Sequence, residues 1–301
     1  MKAHVILPNN GGKVNGGGKV LIRMAEVLQD LGYGTTLEFS NGPAPRWLNI
    51  KVPIKSTREA DLIIVCEVSF GWISKIPGFN VVYYQSPTYI ERDRNFLPIP
   101  YKAQGAQAVI FNSEWNRKRY VAAVKEDGPV VHPTVDSSLF YPSSTTDFGR
   151  GIYFPRKNLG MAKRVLKTLK KRGVGIKWLE ADEIGEDKLA SLWREIGITM
   201  ITGYPESFPM PPLEAMASGS VPVGTTGSAG HEYMIHGKNS LIVRDGDWES
   251  LTDTLEEIRA NPSQLKSLRE NGIETAKHYN KDNQKKELIK ALREVHAPTP
   301  F

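Results

Sequence analysis

Cysteine is almost missing. The chain of 301 residues has one, Cys66, so no internal disulfide framework can form. Its setting, Asp61-Leu62-Ile63-Ile64-Val65-Cys66, reads as a buried strand. A thiol there is an inert core group rather than a nucleophile or a metal ligand. Long apolar runs are missing too, since no window approaches the roughly 18 consecutive apolar residues that mark a membrane span. The six histidines are scattered, and no His/Cys/Asp cluster has metal-ligand spacing, so no metal site is expected. Serine-nucleophile motifs, internal repeats and low-complexity tracts are also absent. The start, Met1-Lys2-Ala3-His4, leads directly into a short strand pattern without the apolar stretch of a signal peptide. A reducing cytoplasm is the expected compartment.

What is present belongs to a globular chain. Apolar residues make up 40% and charged residues 24%, which excludes a disordered tail or a collagen-like repeat. The net charge of +6 is thinly spread. Up to residue 145 there are 16 basic and 12 acidic residues, and after it 23 and 21. The local run Arg117-Lys118-Arg119 is a solvated helix face or a contact for something anionic. A sugar nucleotide, an acidic membrane surface and nucleic acid all meet that description.

Short apolar runs alternate with helical patterns along the chain. The first part offers strands at His4–Leu7, Thr35–Phe39, Asp61–Cys66, Asn80–Tyr84, Ala108–Phe111 and Val130–His132. The second offers Gly151–Phe154, Ile176–Glu180, Ile198–Thr202, Val221–Thr225 and Ser240–Val243. Several are apolar at consecutive positions, the mark of strands buried on both faces of a parallel sheet. Helices are expected between them, for example Lys19–Leu31 ahead of Gly32. The stretch from Phe140 to Thr146 is polar with a proline and reads as a linker. The expected organisation is α/β with two doubly wound domains, residues 1–142 and 147–280, and a final helix within 281–301.

Three features can carry chemistry. The glycine-rich stretch from Pro8 to Gly18 follows the first strand and opens the first helix, where backbone N–H groups can approach an anion. It does not fit a dinucleotide fingerprint, because Leu21 holds the third glycine position and the loop is long, although Glu38 ends the second strand where a ribose-binding acid belongs. Second, Arg156 and Lys157 follow the first strand of the second part, on the rim where doubly wound sheets bind ligands. They are either a phosphate-binding pair or an ordinary solvated one. Third, Glu206-Ser207-Phe208-Pro209-Met210-Pro211-Pro212-Leu213-Glu214 sets two carboxylates eight positions apart. Pro211 or Pro212 can open a helix, with Glu214 in its first turn near a positive helix end. A carboxylate there suits a vicinal diol.

The run from Glu206 to Gly219, followed by Val221-Pro222-Val223-Gly224-Thr225-Thr226-Gly227 and Glu232, resembles the signature of the group 1 nucleotide-sugar glycosyltransferases. Asn112-Ser113-Glu114, Val135-Asp136 with Phe140-Tyr141-Pro142, Ile242-Val243 and His278-Tyr279-Asn280 are similar to further segments of that family. The resemblance implies a GT-B fold, two Rossmann-like domains facing each other across a cleft, with the last helix crossing back to the first domain. It implies sugar transfer with retention, with the nucleotide-diphosphate sugar as co-substrate and no other cofactor.

Carried over by position, the resemblance puts Glu206 by the donor sugar and Arg156 and Lys157 on the diphosphate. Glu214 would take the ribose hydroxyls and the Met210 N–H would remain a donor. Gly17, Gly18 and Gln85 would line the donor side from the first domain. The sequence departs from the family in three places. Arg156 and Lys157 are adjacent rather than spaced, Ser207 and Pro209 replace loop glycines, and Gln85 stands where many members carry histidine. Gln85 can hydrogen-bond but cannot serve as a near-neutral base. The donor base is expected near Thr202–Tyr204 and Glu180. The acceptor is expected at Tyr89, Arg92 and Arg94. A sugar, a lipid-linked group, a protein and a modified nucleic acid all remain open as acceptors, as does contact with the inner membrane face. A sugar-nucleotide epimerase on the same fold and a non-catalytic basic binder are the alternatives.

Overall fold

The computed structural model describes residues 1–8, 10–85, 99–144 and 146–301. They divide into two compact units, one of Met1–Thr134 with Lys281–Phe301 and one of Val135–Asn280.

The first unit is built on β1 (Lys2–Leu7), α1 (Gly16–Asp30), β2 (Gly34–Phe39), β3 (Leu62–Cys66), β4 (Phe79–Tyr84), β5 (Ala108–Phe111) and α2 (Glu114–Val124). Its five strands are parallel, in the order β2-β1-β3-β4-β5. Every residue of β3 is buried, as a strand covered on both faces requires. Helix α1 begins at Gly16, three residues before the expected Lys19. Asn15 is extended there, and its side chain accepts the Gly18 N–H at 2.7 Å. That cap offsets the weak helix propensity of three successive glycines. The expected strand Val130–His132 does not form: Val130 makes only an isolated bridge to Phe111. Pro129 and Pro133 flank it, and proline has no N–H for a ladder.

The second unit contains β6 (Asp147–Tyr153), α3 (Leu159–Lys171), β7 (Lys177–Glu180), α4 (Glu186–Glu195), β8 (Ile196–Ile201), α5 (Met210–Ala217), β9 (Val221–Gly224), β10 (Leu241–Ile242), α6 (Trp248–Ala260) and α7 (Gln264–Lys277). Its parallel sheet runs β10-β9-β8-β6-β7. Met161, Val165 and Leu169 on α3 pack with Ile198, Met200, Val221 and Val223 of the sheet and Leu251 and Leu255 of α6. Trp193 is fully buried and donates its indole N–H to Thr199 Oγ1 at 3.0 Å. Residues 135–142, expected with the first domain, pack with this unit. The Val135 N–H reaches the Tyr279 carbonyl at 2.8 Å, and Phe140 meets the Trp193 ring at 5.9 Å.

The last helix, α8 (Lys281–Glu294), belongs to the first unit. Lys281 Nζ sits 2.6 Å from Asp30 Oδ2 at the end of α1. The His132 N–H donates to Glu287 Oε2 at 2.8 Å, and the His132 carbonyl accepts from Gln284 Nε2 at 2.7 Å. Side chains of α8 thus take backbone groups that a strand partner would have used.

Candidate active site

In the second sheet β6 has β7 on one side and β8 on the other, so the chain's winding reverses between β6 and β8. Crevices at such a reversal, beyond the carboxyl ends of the strands, are where open α/β sheets hold ligands. The loop after β6 brings Arg156 and Lys157 there, and the loop after β8 brings Glu206.

The two loops are tied together. Thr202 Oγ1 donates to the Lys157 carbonyl at 2.8 Å, while Asn158 Nδ2 donates to the carbonyls of Thr202 at 2.8 Å and Tyr204 at 3.0 Å. Asn158 is left-handed (φ 52°, ψ 51°) and stands at the start of α3, yet its side chain does not cap that helix. Asparagine tolerates this conformation better than most residues. The Gly203 carbonyl accepts from Thr225 Oγ1 at 3.1 Å, so all three carbonyls of the stretch expected near the donor base already accept a hydrogen bond. Glu180, the other expected element, accepts one from the Tyr153 hydroxyl.

Across this junction Lys157 Nζ lies 2.6 Å from Glu206 Oε1. The Glu206 side chain is 24% exposed and is pressed from behind by Gly227. A Cβ at Gly227 would come within 2.5 Å of Glu206 Cβ, and Gly227 has φ 72°. Both constraints demand glycine. Arg156 faces a second carboxylate, with Nη1 3.6 Å from Glu183 Oε1. Sequence reasoning missed Glu183. Its signal was faint: an acidic pair, Asp182 and Glu183, just beyond the end of β7 on the same rim.

Helix α5 starts at Met210, not at Pro211 or Pro212, so Glu214 falls in the second turn rather than the first, and it is buried. The shift has a consequence for donors. The first four N–H positions of a helix have no partner within it. Here those positions are Pro209, Met210, Pro211 and Pro212. Three cannot donate, which leaves Met210 as the single N–H at this helix end.

The Pro-rich loop is held by aromatics. Phe208, Tyr233 and Tyr279 pack with ring centroids 5.3 to 5.8 Å apart. The buried Tyr233 hydroxyl donates to the Pro209 carbonyl. Burial pushes this phenol well above its ordinary range. Tyr279 and the carboxylates Glu206, Glu214 and Glu232 push it further in the same direction. His231 is exposed and bonds the Ser228 carbonyl of its own loop.

In the first unit the structure brings Gly17 and Gln85 together. Gln85 Nε2 donates to the Gly17 carbonyl at 3.2 Å, and the Gln85 carbonyl accepts from Asn112 Nδ2 and Asn116 Nδ2 at 3.2 and 3.1 Å. Gly18 plays another part, since its N–H goes to the Asn15 cap. Glu38 is taken by His4 Nε2 at 3.0 Å and Ser56 Oγ at 2.8 Å, which closes the dinucleotide reading of that acid. Cys66 lies next to Gln85 with its Sγ 3.1 Å from Glu67 Oε2. Burial first, then the Glu67 charge, pushes this thiol well above its ordinary range. A hollow of about 520 Å³ lined by Lys2, Thr35, Lys55 and Glu59 lies by the amino ends of β1 and β2, opposite this rim. Tyr89, Arg92 and Arg94 lie outside the described residues. Among the described residues no group of three or more His, Cys, Asp and Glu side chains is placed to hold a metal ion. No helix among them is long and apolar enough to cross a membrane.

Two parallel α/β units, the second with cations and carboxylates at its switch point, define a GT-B fold. Residues 154–275 match the family model described as Glycosyl transferases group 1. The segment that carries this family match lies wholly within the second unit. No curated protein matches the chain in sequence. Solved structures match over nearly its whole length at low identity. Sucrose-phosphate synthase (tll1590) from Thermosynechococcus elongatus shares 14% identity, with 99% of this chain and 100% of that one covered and a TM-score of 0.75. Anabaena Alr3699/HepE, in complex with UDP and glucose, also shares 14%, with 98% and 100% covered and a TM-score of 0.79. An alpha-glucosyltransferase in complex with UDP-glucose and DNA containing an abasic site shares 12%, with 98% and 99% covered and a TM-score of 0.67.

Proposed function

We propose that the protein moves a sugar from a nucleotide-diphosphate sugar to an acceptor, with retention at the anomeric carbon. The observation that carries this reading is the Lys157–Glu206 contact of 2.6 Å at the switch point, with Arg156 on the same loop. Glycosyl transfer builds positive charge on the sugar and negative charge on the departing diphosphate. A site serving it needs cations and a carboxylate within a few ångströms of each other, held before the reaction begins.

Arg156 takes phosphate oxygens with its planar fork and Lys157 with a point charge. The Met210 N–H adds one donor at the positive end of α5. Glu206, released from Lys157 as the phosphate arrives, faces the sugar and stabilises its developing charge. Glu214 binds the vicinal ribose hydroxyls. No protein base is assigned to this step, and the departing phosphate oxygen takes the acceptor's proton. The nucleotide sugar is the co-substrate and no further cofactor takes part. The UDP and glucose named with the Anabaena relative support a nucleotide-sugar donor.

The test is release of nucleoside diphosphate from UDP-, GDP- and ADP-glucose. Glu206→Ala and the double variant Arg156→Ala/Lys157→Ala should each lose about 100-fold or more in rate, the scale of removing a preorganised electrostatic group. Wild-type rates in both variants would remove the mechanism.

A further inference from the structure

We propose that Glu183 is a counter-ion that competes with the donor's diphosphate for Arg156 and thereby sets how tightly the site holds diphosphate ligands. The inference rests on the donor-site reading above.

The geometry is specific. The Ala181 N–H donates to the Tyr153 carbonyl at 2.8 Å, which ties the loop after β7 to the end of β6. Two residues on, Glu183 adopts φ 46°, a left-handed conformation in a residue with a side chain. Such a conformation is disfavoured for L-residues, and where it persists it marks a position set by function or by its surroundings. Its effect here is to present the carboxylate 3.6 Å from the Arg156 guanidinium, with the two side chains 44% and 42% exposed. Lys157 meanwhile faces Glu206. Each cation assigned to the diphosphate therefore already faces a carboxylate.

The two carboxylates are not equivalent. Glu206 is packed against Gly203 and Gly227 and is assigned to the sugar. Glu183 lies on an exposed loop, and nothing in the proposed chemistry uses it. A diphosphate approaching Arg156 meets this carboxylate within about 4 Å, and like charges at that range oppose each other. Glu183 must swing away, so its removal should tighten binding. Exposed ion pairs are weak, and the expected gain is correspondingly small, about two- to fivefold in Kd.

The experiment is calorimetric titration of the full chain with inorganic pyrophosphate and with UDP at low ionic strength. The probes separate the phosphate contribution from that of the nucleoside. Glu183→Gln should bind pyrophosphate about two- to fivefold more tightly than wild type, and the gain should fade in about 0.5 M salt. The adjacent exposed Asp182→Asn makes the same charge change without facing Arg156 and should leave the Kd unchanged. In an Arg156→Ala background the Glu183→Gln gain should vanish. Weaker or unchanged binding in Glu183→Gln overturns the proposal, and so does an equal gain in Asp182→Asn. If neither probe binds wild type or any variant, the donor-site reading itself fails and the competition falls with it.

Discussion

Gly227→Ala isolates the packing that places Glu206. Two separable penalties follow from the structure. First, alanine at φ 72° enters the left-handed region, at about 1–2 kcal/mol. Second, its Cβ would lie 2.5 Å from Glu206 Cβ, where ordinary contact begins at 3.4 Å. The Glu206 backbone must therefore yield by roughly 1 Å, a displacement that can reduce a reaction rate about 100-fold. Gly173 supplies the control, with φ 73° and nothing within 4 Å of an added Cβ. Gly173→Ala carries the backbone penalty alone. Both variants should lose about 2–8 °C in melting temperature, Gly227→Ala somewhat more because of the contact. Only Gly227→Ala should lose about 100-fold in nucleoside diphosphate release from the active nucleotide sugar. A folded Gly227→Ala variant as active as Gly173→Ala would refute the positioning role of that contact.

Two further outcomes concern the scaffold. His4 is buried beside Thr36 and Glu38, and burial lowers its pKa from 6.5 against the opposing pull of Glu38. The unfolded chain therefore binds the proton more readily than the folded one. Stability is full above pH 6.5 and declines as pH falls from there toward the lower folded value. Urea midpoints between about pH 5 and 7.5 should show this slope, and His4→Asn should flatten it. Trp193→Ala removes a fully buried ring and leaves Thr199 Oγ1 without its indole donor. It should destabilise by about 3–5 kcal/mol, and an unchanged urea midpoint would contradict the core packing described.

The architecture was legible because parallel strands covered on both faces are written as consecutive apolar residues. Leu62–Cys66 and Ala108–Phe111 show this plainly. Where pattern and structure diverged, a backbone detail decided. Val130–His132 is apolar enough for a strand, but flanking prolines deny it a ladder, and α8 supplies the missing partners from more than 150 residues away. Gly16–Gly18 looked like a loop because glycine disfavours helix, and the Asn15 cap reverses that. The third motif named Glu206, Met210 and Glu214, which the structure sets in the loop after β8 and in α5. The helix start at Met210 still had to be seen, because a run of prolines allows several registers. Glu183 and Asn158 were hidden for another reason. Their roles depend on left-handed backbone and on loops that meet only when β6, β7 and β8 are side by side, and no periodicity encodes either.

The central claim, that Arg156 and Lys157 with Glu206 handle a nucleotide-diphosphate sugar, is tested most directly by one measurement. Nucleoside diphosphate release is followed with UDP-, GDP- and ADP-glucose for wild type and for Arg156→Ala/Lys157→Ala. The account predicts turnover of at least one donor by wild type and about 100-fold or greater loss in the double variant. Equal rates in the two proteins, or no release from any of the three donors by folded wild type, would contradict it.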